Sequence, residues 1–224
     1  MPEYLFLRIL SELQKIDFDG RLSFYLNGEP LLDNRLSTWV NMGKRSCPKA
    51  FTFIISNGDL LTYERVIELI DAGLDAIKVN TYDDETFMKV NEVIRKLPPP
   101  LKKHILHFDY SKKTDWSSGA GILPIGAKKR DEAQKTTAVC PRPFMQMYIT
   151  CTGLVAQCCT DTLNRHIMGD ITRESLLEIW NGKPFAEVRN ALLGKGDLNE
   201  MCRVCDLERT YQTVDDLRQL FRNR

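Results

Sequence analysis

Thiols dominate the chemistry this chain could do. Six of its seven cysteines, Cys140, Cys151, Cys158, Cys159, Cys202 and Cys205, fall in the last 85 or so residues, and only Cys47 stands upstream. Cys202-x-x-Cys205 has the spacing of a tight metal-ligand knuckle. Upstream of it, "CPRPFMQMYITCTGLVAQCC" places two β-rich runs around Thr152-Gly153, the pattern of a hairpin that could supply two further thiolates. Four thiolates suffice for a structural zinc or for an iron–sulfur cluster, and both readings stand at this point. Neighbours in a regular strand point to opposite faces, so only one of Cys158 and Cys159 can face a shared site while the other packs as a small buried hydrophobe.

The other candidate groups read as ordinary structure. Cys47 and Cys151 are expected to be packed or free thiols. His104 and His107 have H-x-x-H spacing, which on a strand puts them on opposite faces. Trp180 and Phe185 are expected to anchor a small core, and the basic run Lys128-Lys129-Arg130 is expected to be solvated.

The elements that must position these groups differ between the two halves. "RLSFYLN" (21–27), "FTFIIS" (51–56), "DAIKVNTY" (75–82) and "KKHILHFDY" (102–110) read as strands. "YERVIELIDAG" and "DDETFMKVNEVIRKL" between them read as helices, the first capped by Thr62 and stopped at Gly73. Strands alternating with helices predict βαβ units and a parallel sheet or barrel. Ligands in such folds bind at the carboxyl ends of strands, where this chain carries Gly28-Glu29-Pro30, Ser56-Asn57-Gly58 and Asn80-Thr81. Plain turn chemistry accounts equally well for those residues. Residues 111–138 read as a connection rich in Gly, Ser, Lys and Asp. Beyond it, Ser175 and Glu178 form a capping-box pattern, Gly182 a stop, Pro184 a helix start, and a charged tail helix begins near Thr213.

The bulk properties are those of a folded water-soluble chain: 224 residues, 43% hydrophobic, 27% charged, with a formal net charge of +1. That balance makes no case for nucleic acid or a membrane surface, and no apolar run approaches the roughly 20 residues of a membrane span. The opening "MPEYLFLRILSELQKI" is broken by Glu3, Arg8, Glu12 and Lys15, which predicts an amphipathic helix rather than a signal peptide. The expectation is a cytoplasmic protein, where clustered cysteines serve metal or redox chemistry rather than disulfides.

With those residues in view, the chain resembles a known family. Cys140, twelve residues, Gly153, four residues and Cys158 resemble the opening of the SPASM domain of radical S-adenosylmethionine enzymes. "GDITRESLLEIWNGKPFAEVRNALLGKG" followed by "CRVC" continues the resemblance, "LNGEP" looks like the family's Gly-Glu motif, and "SSGAGILP" resembles the segment leading into the second domain. The resemblance implies an α/β fold: a partial radical-SAM (β/α) barrel over 1–125, a linker over 126–139, a small α+β SPASM/twitch domain over 140–208 and a tail helix over 209–224. It implies one auxiliary [4Fe–4S] cluster on Cys140, Cys158, Cys202 and Cys205. It implies cofactor contacts at Gly28 and Glu29, with Ser56, Asn57 and Asn80 at the later strand ends. No catalytic residue is assigned. The implied partners are a peptide, protein or small-molecule substrate and an electron donor such as ferredoxin or flavodoxin.

The departures also carry meaning. No cysteine follows Cys205, so one complete auxiliary cluster is expected, as in the twitch variant, and Asn27 stands where the family often has glycine. No three cysteines have the Cys-x3-Cys-x2-Cys spacing of the family's catalytic cluster. The chain therefore reads as an N-terminally truncated member, whose full-length form would bind S-adenosylmethionine and the catalytic [4Fe–4S] cluster. The 224 residues alone are expected not to cleave the cofactor. The alternative from another class is a non-catalytic four-cysteine domain holding zinc or a cluster for folding or binding.

Overall fold

Four short apolar runs make a parallel sheet because each is followed by enough chain to cross back over it. A computed structural model of the chain describes residues 1–114, 116–120, 122–123 and 140–207. Its described residues pack as two units, one built on residues 10–113 and the other on residues 1–9 with residues from 114 onward. The expected linker 126–139 lies outside the described residues, as do the basic run at 128–130 and the tail helix 209–224.

In the first unit, β1 (Arg21–Ser23), β2 (Phe51–Ser56), β3 (Ala76–Thr81) and β4 (Ile105–Asp109) pair in parallel in chain order. The helices α2 (Leu36–Ser46), α3 (Tyr63–Asp71) and α4 (Asp84–Lys96) fall between successive strands, with the short α5 (Pro99–Lys102) before β4. Alternation along the strands divides the core. Ile54, Ile77, Val79 and Ile105 pack with Val40, Val66, Leu69 and Val90 of the helices. Phe51, Phe53, Ala76 and Leu106 form a separate apolar cluster joined by Tyr25, Ile55 and Phe108. β2 is therefore buried at five of its six positions and apolar at four, as a strand with both faces covered must largely be.

Local signals behave as their chemistry requires. Thr62 accepts from the backbone N–H of Arg65 and opens α3, and Gly73 leaves it at φ +102°. β1 is shorter than the seven-residue run predicted: only Arg21–Ser23 pair as strand, and Phe24 N–H adds one bond to Phe53 C=O. Helix α2 was not predicted, although Leu36, Trp39, Val40 and Gly43 repeat with helical spacing and are all buried.

The second unit carries a three-stranded antiparallel sheet of β5 (Tyr148–Ile149), β6 (Leu154–Ala156) and β7 (Ile167–Asp170). Around it stand α6 (Arg142–Met145), α7 (Leu176–Asn181), α8 (Lys183–Leu192) and α9 (Glu200–Val204). Ser175 and Glu178 close the predicted capping box on α7, and α8 begins with Pro184 in its first turn. Helix α1 (Glu3–Lys15) begins in this unit, where Leu5 is fully buried and Arg8 donates to the Thr172 and Glu174 carbonyls. Trp180 and Phe185 meet at 5.2 Å with the Arg189 guanidinium over both rings, a packed core as expected.

Candidate metal centre and cofactor groove

Cys140, Cys158, Cys202 and Cys205 line one cavity in the second unit, together with Gln157 and Thr160. They reach it from three pieces of backbone: Cys140 from just ahead of α6, Cys158 from beyond β6, and Cys202 and Cys205 from within and from the end of α9. Cys151 is exposed and Cys159 part-exposed, and neither is among the lining residues.

The reason for the separation of Cys158 from Cys159 differs from the one expected. β6 ends at Ala156, so the pair lies beyond the regular strand, and pleat alternation does not apply. Gln157 N–H still bonds the His166 carbonyl, after which the chain turns. Asp161, itself buried, holds that turn by accepting from the backbone N–H groups of Arg165 and His166, each at 2.8 Å. Cys158 is buried within it. Cys159 faces the Tyr148 hydroxyl, whose titration is pushed upward by burial and by that thiol.

Three of the four cavity thiols have hydrogen-bond partners on their sulfurs. Gln157 Nε2 lies 2.9 Å from Cys202 Sγ, Thr160 Oγ1 2.8 Å from Cys158 Sγ, and Arg142 Nη1 3.9 Å from Cys140 Sγ. Burial pushes the Cys158 thiol up despite Thr160, and it pushes Cys202 up to about 11. A set of one buried and three half-buried thiols, three of them with an N–H or O–H group against the sulfur, suits thiolates bound to positive iron, where the charge is neutralised and the donors complete the sulfur's surroundings. The residues present therefore fit an iron–sulfur cluster. Among the described residues no group of three or more His, Cys, Asp or Glu side chains is gathered as for a single metal ion. The sequence reading did not single out Gln157, Thr160 or Arg142. The only signal was their closeness in sequence to Cys158 and Cys140.

The knuckle is also tied to the segment resembling the entry to the second domain. Asp206, next to Cys205 and 5% exposed, accepts from Ser117 Oγ and Ser118 N–H at 2.6 Å each. Burial opposes its ionisation, but those donors hold its carboxyl below the usual range.

At the strand ends of the first unit the polar residues fall into a knot and an outlier. Glu29 Oε1 accepts from Leu31 N–H at 3.0 Å and Ser56 Oγ at 2.8 Å, and its Oε2 accepts from Asn57 N–H at 2.8 Å. Each carboxylate oxygen offers two lone pairs, so one on Oε2 remains for another donor such as an ammonium group. Ser56 Oγ also accepts from Gly58 N–H, and the Asn57 amide is turned onto Asp59. The Ser56 hydroxyl and the Asn57 backbone thus brace Glu29, while the Asn57 side chain braces its own turn. Asn80 Oδ1 is buried without a hydrogen-bond partner. A Cβ added at Gly28 would meet nothing within 4 Å.

His104 and His107 do not converge. His104 Nδ1 lies 2.8 Å from the Asp75 carbonyl, while His107 bonds Thr81 and Asn91. Cys47 is buried at the end of α2.

Comparison with known proteins agrees with this arrangement. Residues 140–206 match the SPASM iron–sulfur cluster-binding domain. The S-adenosyl-L-methionine-dependent 2-deoxy-scyllo-inosamine dehydrogenase of Niallia circulans is 30% identical over 206 residues, covering 90% of this chain and 80% of that protein. Crystalline BtrN in complex with AdoMet and 2-DOIA superposes with a TM-score of 0.77 at 25% identity, over 96% of this chain and 86% of that one. AdoMet-bound anSMEcpe shares the fold, with a TM-score of 0.54 at 13% identity over 99% of this chain and 87% of that one. The four cysteines around one cavity, the parallel sheet ahead of them and the dehydrogenase relative lead to one statement: this chain belongs to the radical S-adenosylmethionine enzymes that carry a SPASM iron–sulfur domain.

Proposed function

We propose that this chain is the cofactor-groove and auxiliary-cluster part of an S-adenosylmethionine-dependent dehydrogenase acting on a secondary alcohol of a small polyhydroxylated amine. The observation that carries this reading is the 30% identity to 2-deoxy-scyllo-inosamine dehydrogenase along 90% of the chain. It favours a small molecule over the peptide or protein substrate that the resemblance also allowed. S-adenosylmethionine, bound with a catalytic cluster, supplies hydrogen-atom abstraction.

The roles of this chain's residues follow from their positions. Glu29, held in place by three donors, keeps one lone pair for the amino group of the cofactor. Gly28 leaves the adjoining space open, and the orphaned Asn80 Oδ1 awaits a donor such as a ribose hydroxyl. Cys140, Cys158, Cys202 and Cys205 would hold one [4Fe–4S] cluster with no vacant iron, which restricts it to one-electron transfer or to structural support. Converting an alcohol to a ketone removes two electrons and two protons. Hydrogen-atom abstraction takes one of each, so a one-electron acceptor and a base must take the rest. A ferredoxin or flavodoxin is the proposed electron partner.

The match of residues 140–206 to the SPASM iron–sulfur cluster-binding domain supports a cluster over zinc at these four thiols.

Anaerobic reconstitution of the 224-residue chain tests the reading. The expected product is brown, with iron and sulfide in equal amounts. Fused behind a strand and Cys-x3-Cys-x2-Cys loop from the dehydrogenase relative, it is expected to produce 5′-deoxyadenosine and oxidise 2-deoxy-scyllo-inosamine or a similar amino polyol. A colourless chain with one zinc would overturn the cluster, and cofactor cleavage with no polyol oxidation would overturn the substrate class.

A further inference from the structure

Resting on the cluster reading above, we infer that Gln157 is a positioning residue for the cluster's potential: its amide N–H is held toward Cys202 Sγ by a hydrogen-bond relay whose direction is set by the backbone of α9. The relay starts from a group with only one possible role. The backbone N–H of Cys202 can only donate, and it lies 2.9 Å from the Asn199 side chain, which must therefore offer Oδ1. Asn199 is the N-cap of α9, so this bond also starts the helix that carries Cys202. With Oδ1 committed, the Nδ2 end of Asn199 faces Gln157 at 2.6 Å. Two amide donors cannot face each other, so Gln157 presents Oε1 to Asn199. Its Nε2 is then the end aimed at Cys202 Sγ, 2.9 Å away.

Amide orientation is ordinarily an assignment, but here a single backbone donor determines both amides. Gln157 is 1% exposed, so water cannot substitute for either partner. A buried glutamine costs side-chain entropy and desolvation, and an apolar residue would fill the space more cheaply. What glutamine adds is a fixed N–H dipole at a sulfur. Such a donor favours the more negative, reduced form of a cluster and raises its potential. The relay also couples that potential to α9: whatever moves the helix N-terminus moves the donor.

The test uses the full chain, reconstituted with iron and sulfide, with potentials read by a redox titration monitored by electron paramagnetic resonance. Gln157→Met keeps the bulk and removes the donor. Gln157→Glu keeps an acceptor for Asn199 but turns an oxygen to the sulfur. Asn199→Asp leaves the α9 cap and Gln157 in place but accepts where Asn199 donated, so Gln157 must reverse and present Oε1 to the sulfur. All three are expected to lower the reduced fraction at a fixed potential at least tenfold, a shift of 59 mV for one electron. Cluster loss with an apoprotein melting temperature equal to wild type also supports a direct action on the cluster. Wild-type potentials in Gln157→Met and Asn199→Asp would overturn the inference, as would cluster loss with a lowered apoprotein melting temperature. If the wild-type chain takes up no iron and sulfide, the reading of the four cysteines fails instead.

Discussion

A pair of adjacent cysteines shows how little residue identity alone decides. Cys158 and Cys159 have the same side chain and neighbouring positions, yet the turn held by Asp161 turns one into the cavity and leaves the other beside Tyr148. Cys158→Ser is therefore expected to lose most of the iron on reconstitution, because a serine hydroxyl is a poor cluster ligand. Cys159→Ser is expected to retain full iron and the brown absorbance. Metal analysis of the two proteins side by side checks this, and equal loss in both would reject the assignment. Cysteine spacing made this contrast legible in advance, although the reason offered, alternation along a strand, was not the operative one. Gln157 was not legible at all. A glutamine after an apolar strand normally reads as a solvent-facing residue, and only the folded chain brings Asn199 and Cys202 to it.

At the scale of elements, one glycine shows what the hairpin requires. Gly153 sits between β5 and β6 at φ +95°, and a Cβ there would lie 3.1 Å from Leu5 Cδ2. Gly153→Ala combines a left-handed backbone with a close contact and is expected to cost about 2 kcal/mol in urea unfolding. Gly28→Ala is the contrast. Its Cβ meets nothing within 4 Å, so stability should stay within about 0.5 kcal/mol of wild type while S-adenosylmethionine binding in the fused protein weakens. A large loss of stability at Gly28 would show that this glycine serves the fold rather than the groove. Strands β2 to β4, the caps of α3 and α7, and the glycine stops were readable because each depends on a few consecutive residues. The short β1 extends less far than its β-forming side chains predict, because beyond Phe24 the chain leaves the ladder with β2 and turns toward Gly28-Glu29-Pro30.

For the molecule as a whole, the two units draw their stability from different sources. The first has an apolar cluster on each face of its sheet. The second places four thiols around a cavity, and a cluster bound there is expected to supply part of its folding free energy. Removing iron from the loaded chain with a chelator is expected to speed amide exchange throughout residues 140–206 and to leave β2 to β4 protected. Hydrogen-exchange mass spectrometry reads both regions in one experiment, and uniform exchange across the chain would contradict the expectation.

The sequence by itself determined the fold class and the SPASM resemblance, and through that resemblance it put forward four thiols as ligands of one cluster. Periodicity, caps and cysteine spacing are local properties that survive without a structure. Tertiary structure alone decided how Cys158 turns away from Cys159, that Ser56 and Asn57 brace Glu29, and that a backbone N–H of α9 orients a glutamine toward a sulfur. The bonds from Ser56 to Glu29, from Asn199 to Gln157 and from Gln157 to Cys202 join residues 27 to 45 positions apart, and the direction of the last two follows from a backbone group that can only donate.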